Sequence, residues 1–305
     1  MIKVTADIFS GRPNPEWVVT GVEAETALRS LSQRPASAAA LGSGFQGLGS
    51  RGLIVELLDD HSSSEYGLPS TFRIAGGGSI EESHARENAE RLIATMTEPG
   101  AGEHPTLTPQ AGQVPFGEDL KKFILEGLPA GGSVRTQTAE QAPAAAVSSD
   151  ADVAVACMIE TTAFNPGFWN DPAHISRNNC YNYATNRRTD TFAQPGRASG
   201  HMYVHINCAD VGNGAVSDGG TFFCAPDSEK NRWYMALVIA PGPGFVDFHW
   251  YRKATEGFWG HKPGGTAARN VDNSGHIVND PRTANRGPYT IFCRFMFAQK
   301  RMVVR

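Results

Sequence analysis

Cys180 stands in Arg177-Asn-Asn-Cys-Tyr-Asn-Tyr-Ala-Thr-Asn186, and His249 and His261 follow it twelve residues apart. A cysteine at a helix start gains thiolate character, because unpaired amides and the helix dipole stabilise negative charge and a neighbouring imidazolium lowers its pKa further. A thiolate nucleophile needs a base within hydrogen-bond reach and a third polar group that holds the base in one tautomer. Cys180, His249 and His261 supply these types in that order, with Asp272 and Asn273 as rival third members. The run Val271-Asp-Asn-Ser-Gly275 is also good turn sequence. This chemistry calls for no cofactor.

The elements that would position these groups can be read from pattern. Asn178 or Asn179 can cap a short helix to Arg187. Asp247–Arg252 and Phe258–His261 read as hairpin strands joined through Thr255-Glu256-Gly257. With Thr255 as turn centre the two histidines face each other, with Cβ atoms roughly 5 Å apart; a bulge at Gly257 would shift that register by one residue. Further strands are predicted over 201–208, 233–240 and 289–297. In such a strand His201 and His205 would lie about 13 Å apart on one face, too far to share a metal ion. A metal site there, with Cys208, Cys224 and His261 as further ligands, is therefore the weaker reading, and no metal is expected.

Upstream, Ile2–Phe9 alternates as a strand, 22–31 has helical spacing with Pro35 beyond it, and strands fit 52–58 and 71–74. Helices fit 81–96 and 116–128. Asp59-Asp-His61 reads as an acidic surface loop. The small, polar, aperiodic stretch 129–152 reads as a linker and 97–115 as a long loop. The expected organisation is α+β: an N-terminal α+β domain of unknown role over 1–128, the linker, and a catalytic domain over 153–305 in which a cysteine-bearing helix packs on an antiparallel sheet.

Composition narrows the classes. All five cysteines and four of five tryptophans lie in the second half. An odd cysteine count leaves one thiol unpaired if disulfides form within one chain, which suits a catalytic thiol; the plain alternative is buried core cysteines in a reducing cytoplasm. Residues 1–152 carry 11 Lys and Arg against 20 Asp and Glu, and residues 153–305 carry 16 against 11. Opposite signs favour docking of the halves. There is no dense basic stripe or nucleic-acid motif, which argues against a nucleic-acid partner. The longest strongly apolar run, Tyr234–Ala240, is far short of the ~20 residues that span a bilayer, so no membrane insertion is expected. The first residues alternate and lack a leader's apolar stretch. The expectation is a cytoplasmic protein, or one exported without a cleavable signal peptide.

The order of helix-start cysteine, strand histidine and a third polar residue a dozen positions later resembles the NlpC-type cysteine peptidases of the papain-like superfamily, over roughly 100 residues. The resemblance implies Cys180 as nucleophile, His249 as general base and then acid, and His261 as orienter. It further implies hydrolysis or acyl transfer at an amide, through a thioester, with a peptide or cell-wall peptide as substrate. Two departures stand out. The family's Asp-Cys-Ser-Gly is here Asn179-Cys-Tyr-Asn182, and His249 precedes Trp-Tyr-Arg rather than small and β-branched residues. The competing class is a non-catalytic module in which Trp250, Tyr251, Trp259 and Arg252 present an aromatic and cationic face to a glycan, peptide or matrix.

Overall fold

Alternation in the first residues becomes a strand with Ile2, Val4 and Ala6 buried and Lys3 and Thr5 half-buried. In the computed structural model, which describes residues 1–96, 117–129, 159–224 and 232–305, this strand, β1 (Ile2–Ala6), lies inside an antiparallel sheet of order β2-β1-β3-β4. Its neighbours are β2 (Glu16–Val19) and β3 (Leu53–Leu57), with β4 (Thr71–Ile74) at the far edge. The register sets Val4 opposite both Trp17 and Val55, so one sheet face is continuously apolar. Helices α1 (Gly21–Gln33) and α3 (Glu82–Ala94) bury Ala27, Leu28 and Leu31 and Ala89, Leu92 and Ile93. α2 (Asp60–Tyr66) occupies the stretch expected to be an acidic loop, because the Asp59 carboxylate accepts the Ser62 N–H and caps a helix. α4 (Glu118–Gly127) follows the predicted helix closely. The predicted linker beyond Pro129, the 97–115 loop and Cys157 lie outside the described residues.

The second half holds short helices α5 (Pro166–Trp169) and α6 (Cys180–Ala184), then α7 (Cys208–Ser217). An antiparallel sheet of order β7-β6-β5-β8 follows, formed by β5 (Trp233–Pro241), β6 (Val246–Lys253), β7 (Trp259–His261) and β8 (Ile291–Ala298). The architecture is α+β. The strand expected over 201–208 is absent: 201–207 is irregular and Cys208 begins α7. Local side chains decide this, since Asn207 accepts the Asp210 N–H and Asp210 in turn accepts the His205 N–H.

β5 reads as an unbroken apolar run because both its faces are covered. Met235, Leu237 and Ile239 share a core with Phe248, Trp250, α6 and α7. Ala236, Val238 and Ala240 join Tyr251, Trp259 and Tyr289 in a second core that continues into the first sheet and its helices. Phe245 bridges the halves, stacking on Phe123 of α4 at 4.4 Å between centroids and tilting against Phe9 at 5.3 Å. The expected aromatic binding face is thereby corrected. Trp250 and Tyr251 are wholly buried, Trp259 is 4 % exposed, and Arg252 is buried against Tyr183; these rings build the core instead of facing a ligand.

Candidate functional site

α6 starts where its sequence predicts. Asn179 accepts the N–H groups of Tyr181 and Asn182, and the Asn182 side chain returns a bond to the Asn179 N–H, a reciprocal cap. Cys180 is therefore the first helical residue, and its side chain is enclosed. It is 0 % exposed and meets the Phe248 carbonyl at 4.0 Å. Burial, reinforced by the nearby Asp247 carboxylate, pushes it well above the ordinary thiol range. The expected depressed pKa is corrected on this ground: desolvation outweighs the helix terminus.

His249 and His261 do come together, at 2.9 Å between Nε2 and Nδ1. The register differs from the predicted one, since Tyr251 rather than His249 stands opposite His261. The hairpin turns around Glu256, with Lys253 paired to Trp259. A two-residue shift preserves the face, so the imidazoles meet diagonally. Their tautomers follow from one fixed acceptor. The Val271 carbonyl lies 2.9 Å from His261 Nε2 and can only accept, so His261 Nδ1 is the lone-pair nitrogen and His249 Nε2 donates to it. His249 Nδ1 is then an acceptor, buried and without a partner among the described residues. Burial, then the neighbouring His261, hold His249 well below the usual imidazole range. Burial likewise brings His261 down to about 3.

The thiol belongs to the other core. His249 pairs with Val238 across the ladder, whereas the residues packed with Cys180 include Phe248, Trp250 and Leu237, whose side chains leave the opposite face. No hydrogen bond joins Cys180 to either imidazole among the described residues. Asp272 accepts the N–H groups of Ser274, His276 and Asn285, as turn sequence should. Asn273 bonds the Leu48 N–H and carbonyl and so ties the halves together. Neither hydrogen-bonds a histidine imidazole.

The site's dominant feature is one that pattern reading passes over. The Asp247 carboxylate accepts the consecutive N–H groups of Ser10, Gly11 and Arg12, at 2.6, 3.2 and 3.0 Å, and the Tyr289 hydroxyl. Consecutive amides of this kind form an anion nest, here filled by the protein's own side chain. The nest loop lies against Cys180's surroundings. Its Gly11 carbonyl accepts from Asn179 and Gln194 at 2.8 and 2.7 Å, and a Cβ at Gly11 would strike the Phe248 ring and carbonyl. The glycine and the two prolines of Ser10-Gly-Arg-Pro-Asn-Pro15 are turn chemistry, but nothing local names the distant carboxylate that this turn binds.

Three of the described cysteines are oxidised. Cys208 is joined to Cys293, Cys224 is disulfide-bonded, and Cys180 is the free thiol among the described residues. This removes Cys208 and Cys224 from any metal site. His201 Nδ1 meets the Ser199 carbonyl and His205 pairs with Asp210. No cluster of three or more metal-ligating side chains occurs among the described residues, and no helix among them is long and apolar enough to cross a membrane.

No protein-family model and no solved structure matches the chain. It is similar to the insoluble matrix shell protein 1 of Ruditapes philippinarum, with 48 % identity over 137 residues, which are 45 % of this chain and 90 % of the relative. At that identity, over nearly the whole relative, the chain belongs to the family of this matrix shell protein.

Proposed function

We propose that the protein is an exported, non-catalytic component of an extracellular matrix, held there by binding. The observation that carries this reading is the 48 % identity across 90 % of a protein named for an insoluble matrix. Two structural features support it. Disulfides persist in oxidising compartments, which fits export. The free thiol is buried and held in its neutral form, which fits a core cysteine. A cysteine hydrolase or transferase acting on a peptide needs the opposite: an accessible thiolate with an imidazole in reach.

The test is co-sedimentation. Purified, disulfide-intact protein is mixed with the insoluble matrix fraction of Ruditapes philippinarum shell and centrifuged. Saturable pelleting that survives moderate salt is expected. Retention of the protein in the supernatant at every concentration would contradict the reading.

A further inference from the structure

A cavity of about 610 Å³ opens where the first sheet meets the segments around 170–176 and 265–267. Its size is that of small-molecule sites. Pro13, Leu41, Ile54, Pro172, Ile175 and Phe192 give it apolar walls, and Leu41, 44 % exposed, stands at the solvent side beside the exposed Gly42.

Asp7 and Arg73 also line this cavity, and both are nearly inaccessible, at 3 % and 2 %. They belong to a buried cluster with an excess of positive charge. Arg51 and Arg73 share the single Asp7 carboxylate, Arg51 through Nε and Nη2 at 3.0 and 2.7 Å and Arg73 through Nη2 at 2.8 Å. Arg51 spends its remaining donors on the Gly47, Gly49 and Phe9 carbonyls. Arg73 gives Nη1 to the Arg51 carbonyl, but its Nε is buried with no partner among the described residues. Glu16, also in the lining, is a carboxylate that the bound anion must lie clear of; Lys3, whose ammonium is held first by Glu56 at 2.6 Å, is also attracted to Glu16. Two buried guanidiniums on one carboxylate leave one cation uncompensated, an arrangement that favours an incoming anion.

We propose that this cavity binds a small amphipathic carboxylate, its apolar chain or ring against the Leu41, Ile54 and Phe192 walls and its carboxylate accepting from Arg73. The proposal stands apart from the matrix reading and does not depend on it.

The test uses the full, disulfide-intact chain with sodium octanoate and its neutral counterpart 1-octanol, followed by calorimetry and thermal melting. Octanoate is expected to bind at least about tenfold more tightly than octanol, the difference a charge-assisted bond supplies. Gly42→Trp, at a position where a Cβ meets open space, should lower octanoate affinity by about tenfold or more through blocking the mouth, with circular dichroism unchanged. Arg73→Gln should abolish the preference for octanoate over octanol. Should Arg73→Gln fail to fold, the wild-type preference and the Gly42→Trp loss decide the matter. Equal binding of the two probes, no binding of octanoate, or octanoate affinity indifferent to Gly42→Trp would overturn the proposal.

Discussion

The two faces of the second sheet bury different reactive groups, the thiol on one side and the imidazoles on the other, although they alternate along the same strand. One face, with Leu237, Phe248 and Trp250, packs Cys180 and the apolar side chains of α6 and α7, with Asn179, Asn182 and Asp218 buried and hydrogen-bonded around them. The other, with Asp247, His249 and Tyr251, buries imidazoles, a carboxylate and phenols against the first half. Thiol and imidazole, the two halves of an expected catalytic pair, are thus sorted into different cores by the period of two of a strand. Order and spacing along a chain select residue types; they do not select the face.

The largest effect on this contrast should come from the Cys208–Cys293 bond, which ties α7, on the apolar side, to β8 across 85 residues. Loop-closure entropy puts its contribution at about 4 to 5 kcal/mol. Replacing both cysteines by alanine should lower the urea midpoint accordingly and steepen the slope, because the unfolded chain is no longer held compact; an unchanged midpoint would show that the apolar face needs no crosslink.

Next comes the polar face's anchor. Asp247→Ala strands three amides and the Tyr289 hydroxyl, and should cost about 3 to 5 kcal/mol in the same assay. A loss below 1 kcal/mol, on the order of an ordinary surface change, would mean that the loop over α6 is held by something else.

The imidazole pair should appear as acid sensitivity. An unfolded histidine titrates near 6.5, whereas burial keeps His261 at about 3 and His249 well below its usual range. Between those values the unfolded chain binds more protons. Stability is therefore full above about pH 6.5 and falls as the pH drops toward 3. His261→Gln should make that fall shallower when unfolding is followed by tryptophan fluorescence; an unaltered slope would place the acid sensitivity elsewhere.

Tyr251→Phe should have the smallest effect. The Tyr251 hydroxyl is buried with no partner among the described residues, so removing it should be neutral or slightly stabilising, within about 1 kcal/mol. A larger loss would reveal a bond made by that hydroxyl.

Where the chain's local pattern decides structure, the sequence could be read closely: β1, β4, α1, α3, the Asn179 cap and the strands β5 and β6 all rest on neighbouring residues. Two histidines twelve apart in a hairpin could be placed on one face, though the turn around Glu256 set a different register. The burial of Trp250 and Tyr251 was not legible, because it depends on covering elements far away in sequence. Nor was the nest. Asp247 and Ser10 are separated by 237 residues, and nothing in either segment names the other. The strand predicted over 201–208 gives way to irregular chain leading into the helix at 208–217, where Asn207 and Asp210 engage nearby backbone N–H groups.

Native-state alkylation tests the account most directly. Disulfide-intact protein is treated with iodoacetamide from pH 5 to 9, and the modified site is assigned by mass spectrometry. A buried core thiol predicts that Cys180 stays unmodified until the protein unfolds, at every pH and equally in His249→Ala. Rapid labelling of folded protein below pH 8, slowed by His249→Ala, would contradict the matrix reading and restore a thiolate supported by His249.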